Sequence, residues 1–554
     1  MGSSDTSAQR KARGAFFTPP EITSFIADWA IRVPDDRVLE PSCGDAEFLL
    51  AAGRRLKALG AGLFVGERLN GVELHAPSAK TAAQRVEGEG FSARIATSDF
   101  FDVAPSPFDV VIGNPPYVRY QDFSGDARAK ALEAALREGV RLSGLASSWA
   151  AFTVHASRFV ARDGRLGLVL PAELLTVKYA EAVRRYLLRR FAKIRLVMFE
   201  ELVFPDVQEE VVLLLAEGEG PAPHFEVYQA RNLSDLGALD RAAWTPFSPG
   251  KGDKWLKALL PSDSLRQYQE VLTGDGFETL SDWGGTYLGA VTGNNRFFAV
   301  AKEQADEIGL TAADLVRLAP PGSRYLRGLT FSEAAWKDMV RAGARGHLFS
   351  PSCSPAGTFS GAAGTYISAG ETMGVHRGYK CRNRSPWWQV PMVPVADLLL
   401  TYMDRHRPRL ISNEARVRHL NSLYGVRLRD SRREVGMRLL PIAALSTVTS
   451  LGAELVGRAY GGGLLKLEPR EADRLPMPSW DLVQTHADAL HALRPQVAAT
   501  LRKGDIDAAS ALVDRVLLTA GMGLTFEEVE SLRRARQQLF GRRDTRAAGG
   551  NGPN

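Results

Sequence analysis

Short apolar runs alternate with longer amphipathic stretches through the first 215 residues. The runs fall at 37–40 (RVLE), 71–75 (GVELH), 93–96 (ARIA), 108–113 (FDVVIG), 164–171 (GRLGLVLP), 194–199 (IRLVMF) and 211–215 (VVLLL). Each is too short for a helix and rich enough in branched residues to read as a buried strand. Stretches 46–59, 76–87 and 145–162 between them carry helical spacing. This alternation predicts an α/β domain with a seven-stranded, mostly parallel, doubly wound sheet covered by helices on both faces. Ligands of such sheets bind outside the carboxyl ends of the strands, so the loops after the first four strands are the candidate site.

The alternation ends at the turn-rich stretch 218–223 (GEGPAP). Beyond it, 224–478 mixes Gly-rich and aromatic pieces such as TYLGAVTGNNRFF, YKCRNRSPWW and RAYGGGLLKLEP, which predict a second, mixed α+β domain. A helix-like segment follows at 479–543. The ends, 1–15 and 544–554, read as flexible. The catalytic domain is accordingly expected to span 16–217.

Length and composition narrow the picture without changing it. A chain of 554 residues that is 45% hydrophobic and 24% charged suits two to four globular domains and excludes disorder, collagen and coiled coil for its bulk. No apolar stretch approaches the roughly 18 residues of a membrane span, and MGSSDTSAQRKARGAFF lacks a signal-peptide core; a soluble, cytoplasmic protein is expected. Cys43, Cys353 and Cys381 lie too far apart for a disulfide framework or a metal finger. With no HExxH, P-loop or GxSxG motif, no metal is expected. The net charge of +6 is unevenly placed: 371–440 holds 14 Lys/Arg against 6 Asp/Glu, a local excess of +8. That region is the candidate polyanion surface.

The most informative residues are Asn114-Pro115-Pro116-Tyr117, directly after the run FDVVIG. Two prolines stiffen the segment and remove two donors, which leaves one amide side chain, backbone carbonyls and an aromatic ring. That inventory suits a flat heterocycle bearing an amino group, although a rigid turn after a strand has the same composition. The preceding loops decide between these readings. Glu40-Pro41-Ser42-Cys43-Gly44-Asp45 closes the first strand with an acidic, small-residue turn that leads into a helix containing Phe48. Such a rim fits a cationic ligand. Glu73, ending the second strand, is placed to take the hydroxyls of a ribose, and Asp99 beside Phe100 suits an adenine amino group and ring.

This set resembles the S-adenosylmethionine-dependent adenine-N6 DNA methyltransferases, in the gamma order where the cofactor motifs precede the catalytic motif and a target-recognition domain follows. Phe16-Phe17-Thr18-Pro19-Pro20 is similar to their N-terminal motif over the methionine end of the cofactor, and Leu202-Val203-Phe204-Pro205 to the motif whose Phe packs on an extruded base. The resemblance implies S-adenosylmethionine bound by Thr18, Glu40, Pro41, Cys43, Gly44, Phe48, Glu73, Asp99, Phe100 and Asn114. It implies catalysis by Asn114, Pro115, Pro116 and Tyr117 with Phe204. It also implies double-stranded DNA as partner and a separate cognate restriction endonuclease. One departure is Ala46, where the family usually has glycine.

Direct transfer to an adenine amino group requires both amino hydrogens to be accepted, by Asn114 Oδ1 and the Pro115 carbonyl, so that the nitrogen lone pair points at the methyl group. The base must leave the duplex to reach such a pocket. The DNA-reading candidates are Asn294, Asn295, Arg296, Lys380, Arg382, Arg384, Trp387 and Trp388, with Arg405, Arg407 and Arg409 following in the basic window. Only about 15 residues precede the first motif, so a fused nuclease is not expected. The rival readings are a methyltransferase acting on RNA or a protein glutamine, and a non-catalytic DNA-binding subunit.

Overall fold

The computed structural model describes residues 18–62, 65–201, 203–204, 210–241, 244–250, 254–320, 324–351, 361–460 and 463–548. The chain forms two compact units: one ends at Leu260 and the other spans Pro261–Ala547.

A sheet of nine strands organises the first unit, two more than the seven expected. These are β1 (Val38–Glu40), β2 (Leu69–Glu73), β3 (Arg94–Thr97), β4 (Phe108–Gly113), β5 (Val160–Pro171), β6 (Phe191–Phe199), β7 (Val211–Glu219), β8 (Phe225–Ala230) and β9 (Thr245–Phe247). Their order is β3-β2-β1-β4-β5-β7-β6-β8-β9. Pairings from β3 through β5 are parallel, and β7 runs antiparallel between β5 and β6. The chain winds outward from β1 to β3 and then returns to the other side of β1 as β4. This reversal opens a crevice at the carboxyl ends of β1 and β4, where Glu40 and Asn114 lie.

Most of the strands form where apolar runs can be buried on both faces, whereas β3, at the sheet edge, is largely exposed. All of β4 except Asp109 is buried, as are the last eight residues of β5. Helix Pro20–Ala30 buries Ile22, Ile26, Ala27 and Ala30 on one face. It lies so close to β5 that a Cβ at Gly167 would stand 2.6 Å from Ile26 Cγ2, which requires glycine there. Helix Glu47–Ala58 follows the β1 turn and buries Phe48, Leu49 and Leu50. The 145–162 helix is shorter than its pattern predicts. Helix Ser148–Ala156 is buried all round, and from Val160 the chain is already strand.

The stretch 218–223 does not end the first domain as its composition predicts. Gly218 and Gly220 take φ of 70° and 137° and turn β7 toward β8, which pairs in parallel with β6. Phe225 of β8 then packs on Trp255, ring centroids 4.3 Å apart, so the unit closes only near Leu260. A turn-rich connection reads alike within and between domains; burial beyond it decides.

In the second unit, strands Gly284–Leu288, Tyr424–Leu428, Leu398–Leu400 and Leu410–Ser412 form an antiparallel sheet in that order. Helices Arg433–Ala443, Ala487–Arg502 and Ile506–Asp514 share one core with it, in which Leu398 and Val426 join Leu440, Val497 and Val513. The C-terminal helical segment is therefore part of the second unit's core. A three-stranded sheet of Ala299–Val300, His347–Phe349 and Leu315–Arg317 carries a second cluster around Phe297, Phe298 and Tyr366. The tail expected from 544 begins as helix: Phe526–Ala548 is continuous, and Asp544 pairs with Arg405 at 2.8 Å. Among the described residues no single helix is long and apolar enough to cross a membrane.

Candidate functional site

The β1 turn is built to hold carboxylates in a half-buried rim. Glu40 is 3% exposed, and its Oε2 accepts the Leu49 N–H at 3.1 Å. Burial, reinforced by the neighbouring charge of Asp45, raises its carboxyl well above the usual range. Cys43 donates its N–H to Val72 O at 2.9 Å, and burial pushes its thiol up, so it is no nucleophile. Arg85 binds this turn from outside, reaching Asp45 at 3.0 Å and Glu47 at 2.5 Å. Burial nevertheless raises the Asp45 carboxyl. Ala46 takes φ 70°, ψ 23°, the left-handed conformation that glycine adopts without strain. Backbone geometry thus explains the family's usual residue here, and this chain keeps the conformation with alanine.

Glu73 ends β2 half-buried and faces the same turn. Its Oε2 accepts the Gly44 N–H at 2.9 Å and its Oε1 the His75 N–H at 2.8 Å. Each oxygen retains a lone pair for a hydroxyl donor. Leu74, next to it, is 70% exposed, a large apolar side chain left open beside a polar site. Sequence pattern overlooks it because a single leucine after a strand carries no signal.

Asp99 and Phe100 play more structural parts than their pattern suggests. Asp99 Oδ1 caps the next turn by accepting the Phe101 N–H at 3.0 Å. Phe100 is 4% exposed and packs between Phe152 and Phe159, both at 4.9 Å between centroids. Half-buried Phe101 is the more accessible ring of the two. His155 stands behind them: burial lowers its imidazole to about 4, and the neutral ring donates Nε2–H to Phe100 O at 3.0 Å.

Asn114 leaves β4 at the switch point. Its Nδ2 donates to Thr18 Oγ1 at 3.2 Å, while its Oδ1 is buried with no hydrogen-bond partner among the described residues. An orphaned buried acceptor costs about 1–3 kcal/mol and marks a place where a ligand donor is due. The loop around it is clamped. Tyr117 donates its hydroxyl to Val169 O at 2.8 Å. Ser148, which sequence alone did not single out, donates to Pro116 O at 2.5 Å and accepts the Val118 N–H at 2.9 Å. Pro115 is buried and Pro116 half-buried. Pro41 is buried at the foot of the β1 turn, its Cδ 3.5 Å from where a Gly113 Cβ would stand. The two loops therefore touch. Phe204 is 5% exposed within the apolar cluster that also receives Tyr117. Phe16, Phe17, Leu202 and Pro205 lie outside the described residues.

The second unit sorts its predicted cations into two kinds. Arg407 is 3% exposed, bonded to Leu445 O at 3.2 Å, Ser450 Oγ at 2.8 Å and Asp507 at 2.7 Å. Arg409 pairs with Asp404 and Arg405 with Asp544. Arg384 donates to the carbonyls of Val291 and Thr292, and Trp387 to Glu371 at 3.1 Å while packing on Phe297. Half-buried Trp388 packs on Trp387. Arg384, Arg407, Arg409 and Trp387 are engaged within the unit, which corrects the placing of Arg407 and Arg409 in an open basic surface, whereas the Arg405 side chain stays 54% exposed beside Asp544. Asn294 caps the turn of Phe297, and Asn295 accepts from Thr292. Arg296, Lys380 and Arg382 remain exposed. Lys380 and Arg382 flank the ring of Tyr379, itself 65% exposed, at 5.7 and 5.4 Å. A Cβ at Gly293 would meet Lys380 Cβ at 2.8 Å, so the 293–296 turn and the 379–382 helix form one surface. Among the described residues no group of His, Cys, Asp or Glu is placed to hold a metal ion.

A doubly wound sheet with β7 reversed, an acidic turn after β1, a carboxylate closing β2 and Asn-Pro-Pro-Tyr after β4 together define a methyltransferase. Comparison with known proteins agrees. The Eco57I restriction-modification methylase model matches residues 78–204, and the model of the type II methyltransferase M.Eco57I C-terminal domain matches 252–518. The type II methyltransferase M.XamI of Xanthomonas campestris pv. amaranthicola is 27% identical, with 84% of this chain and 85% of that protein covered. M.PaeR7I of Pseudomonas aeruginosa is 24% identical over 94% of both chains. Among solved structures, the DrdV–DNA complex superposes with a TM-score of 0.50 at 12% identity, over 89% of this chain and 58% of that one, a likeness of fold. The chain belongs to the type II restriction–modification methyltransferases.

Proposed function

We propose that this protein transfers a methyl group from S-adenosylmethionine to the N6 amino group of an adenine extruded from duplex DNA, at one short sequence, protecting that sequence from a cognate endonuclease. The observation that carries the reading is the Oδ1 of Asn114 at the switch point of the sheet, buried and without a partner among the described residues. An exocyclic amino group is the donor that would satisfy it.

The residues present fit the cofactor. Glu73 keeps a free lone pair on each oxygen for the ribose hydroxyls, and Glu40, Asp45 and Glu47 form an acidic rim in which Arg85 pairs with Asp45 and Glu47, so that a bound sulfonium or ammonium would stabilise the Glu40 carboxylate that burial disfavours. Bound there, the cofactor would supply an electrophilic methyl carbon with a neutral thioether as the leaving group for attack by the amino nitrogen. The protein's part is positioning and electrostatics. Asn114 Oδ1 and the Pro115 carbonyl accept the two amino hydrogens, which localises the lone pair on nitrogen. Tyr117, fixed through its hydroxyl, offers its ring to the extruded base, and Phe204 backs the same pocket. After transfer the amino group sheds one proton to solvent.

Incubation of the protein with methyl-labelled S-adenosylmethionine and bacterial genomic DNA, followed by digestion to nucleosides and sequencing of the modified positions, tests the reading. N6-methyladenine confined to one short sequence is expected. Label found only in RNA, in protein or in methylcytosine refutes it.

A further inference from the structure

A primary amide buried at a reacting centre must be held the right way round. Rotating the Asn114 amide by half a turn would replace the acceptor Oδ1 with two N–H donors facing the substrate's own N–H groups, and transfer would stop. In the structure Nδ2 points to Thr18 Oγ1 at 3.2 Å, and Thr18 is 7% exposed. A hydroxyl is by itself indifferent, since it can accept from Nδ2 or donate to a rotated Oδ1. Among the described residues, Thr18 Oγ1 accepts this bond and its own hydrogen meets no acceptor. Whatever takes that hydrogen removes the indifference.

We infer that Thr18 is a positioning residue that couples the cofactor to the base. This rests on the reading of the site as one for S-adenosylmethionine and adenine. Donation of the Thr18 hydrogen to a carboxylate oxygen at the amino-acid end of the cofactor leaves the hydroxyl oxygen able only to accept. It then holds Asn114 Nδ2, and Oδ1 is left facing the base. With the cofactor absent, both amide orientations are open and the base is held less well. Such coupling is reciprocal, so the base also tightens the cofactor.

The test uses the full-length protein and a duplex that keeps adenine at the target and carries 2-aminopurine as its 3′ neighbour, whose fluorescence rises when the target unstacks, with S-adenosylhomocysteine, which keeps the carboxylate and has no methyl to transfer. For wild type, S-adenosylhomocysteine should raise the affinity for this duplex and the extrusion fluorescence by about tenfold. Thr18→Val, nearly isosteric, should bring that gain below twofold, and Thr18→Ser should restore it. Neither should alter affinity for a duplex with an abasic target, which a merely structural lesion would weaken. Thr18→Val added to Asn114→Ala should cause no further loss of coupling. A full tenfold gain in Thr18→Val, or no recovery in Thr18→Ser, overturns the inference alone. A wild-type protein that methylates no duplex overturns the functional reading and the inference with it. Should Thr18→Val not fold, Thr18→Ala carries the same expectation.

Discussion

Glu73 Oε2 and the Gly44 N–H, 2.9 Å apart, tie the end of the second strand to the turn after the first. The same carboxylate also holds His75 N–H, so both its oxygens have fixed directions before any ligand arrives. Glu73→Gln replaces one acceptor with a donor that faces a backbone N–H. Affinity for S-adenosylhomocysteine by calorimetry is expected to fall 10- to 100-fold, about 1.4–2.7 kcal/mol, with a smaller change in kcat.

Asn114→Ala removes the acceptor for the amino group and the Thr18 contact together. A loss of roughly 10²–10³-fold in single-turnover methyl transfer is expected, because a charge-directing contact made at the reacting atom is deleted. Affinity for S-adenosylhomocysteine should stay within about threefold. Equal loss of both would place Asn114 in cofactor binding instead of catalysis.

Ala46 holds a left-handed conformation at φ 70° that costs an L-residue about 1 kcal/mol. Ala46→Gly is expected to fold and bind S-adenosylhomocysteine as well as wild type, with an unchanged or slightly higher melting temperature. Ala46→Val puts a β-branched residue into the same conformation in a buried turn and should lower stability by about 2 kcal/mol or more. Thermal unfolding with and without S-adenosylhomocysteine separates the two.

The neutral His155 makes the first unit acid-sensitive. Its folded value, about 4, lies below the unfolded value near 6.5, so the unfolded chain takes up the proton first. Stability from this group is complete above pH 6.5 and is lost as pH falls toward 4, amounting to about 2 kcal/mol at pH 5. In urea titrations the stability advantage of wild type over His155→Gln should narrow by that amount between pH 7 and pH 5.

Exposed and buried cations of the second unit should fail differently. Lys380→Ala and Arg382→Ala should each reduce the slope of log affinity for DNA against log salt by about 0.9, leaving the fold intact. Arg407→Ala strips a buried hydrogen-bonding hub and should destabilise the unit by about 3 kcal/mol. A salt slope unchanged in both surface variants would move the DNA contact elsewhere.

Much of this was legible in the chain itself. Apolar runs located the first seven strands, in most cases because a strand buried on both faces must be apolar throughout, although the edge strand β3 is largely exposed, and Phe108–Gly113 was read to the residue. The positions of the loops after β1, β2 and β4 followed from those runs. Strand order, the reversal of β7, and the extension through β8 and β9 were decided only by tertiary pairing, as the same apolar run serves a parallel or an antiparallel neighbour. The fate of the arginines was decided there too. Charge in sequence is a count, whereas Arg382 in solvent and Arg407 among Ser450, Asp507 and the Leu445 carbonyl differ only in what the fold placed around them. Asn114 shows both contributions at once. Its identity supplied an amide acceptor at a strand end, and only the packing of Thr18 against its Nδ2 left that acceptor buried and, among the described residues, unpartnered, because hydrogen-bond direction is a property of neighbours.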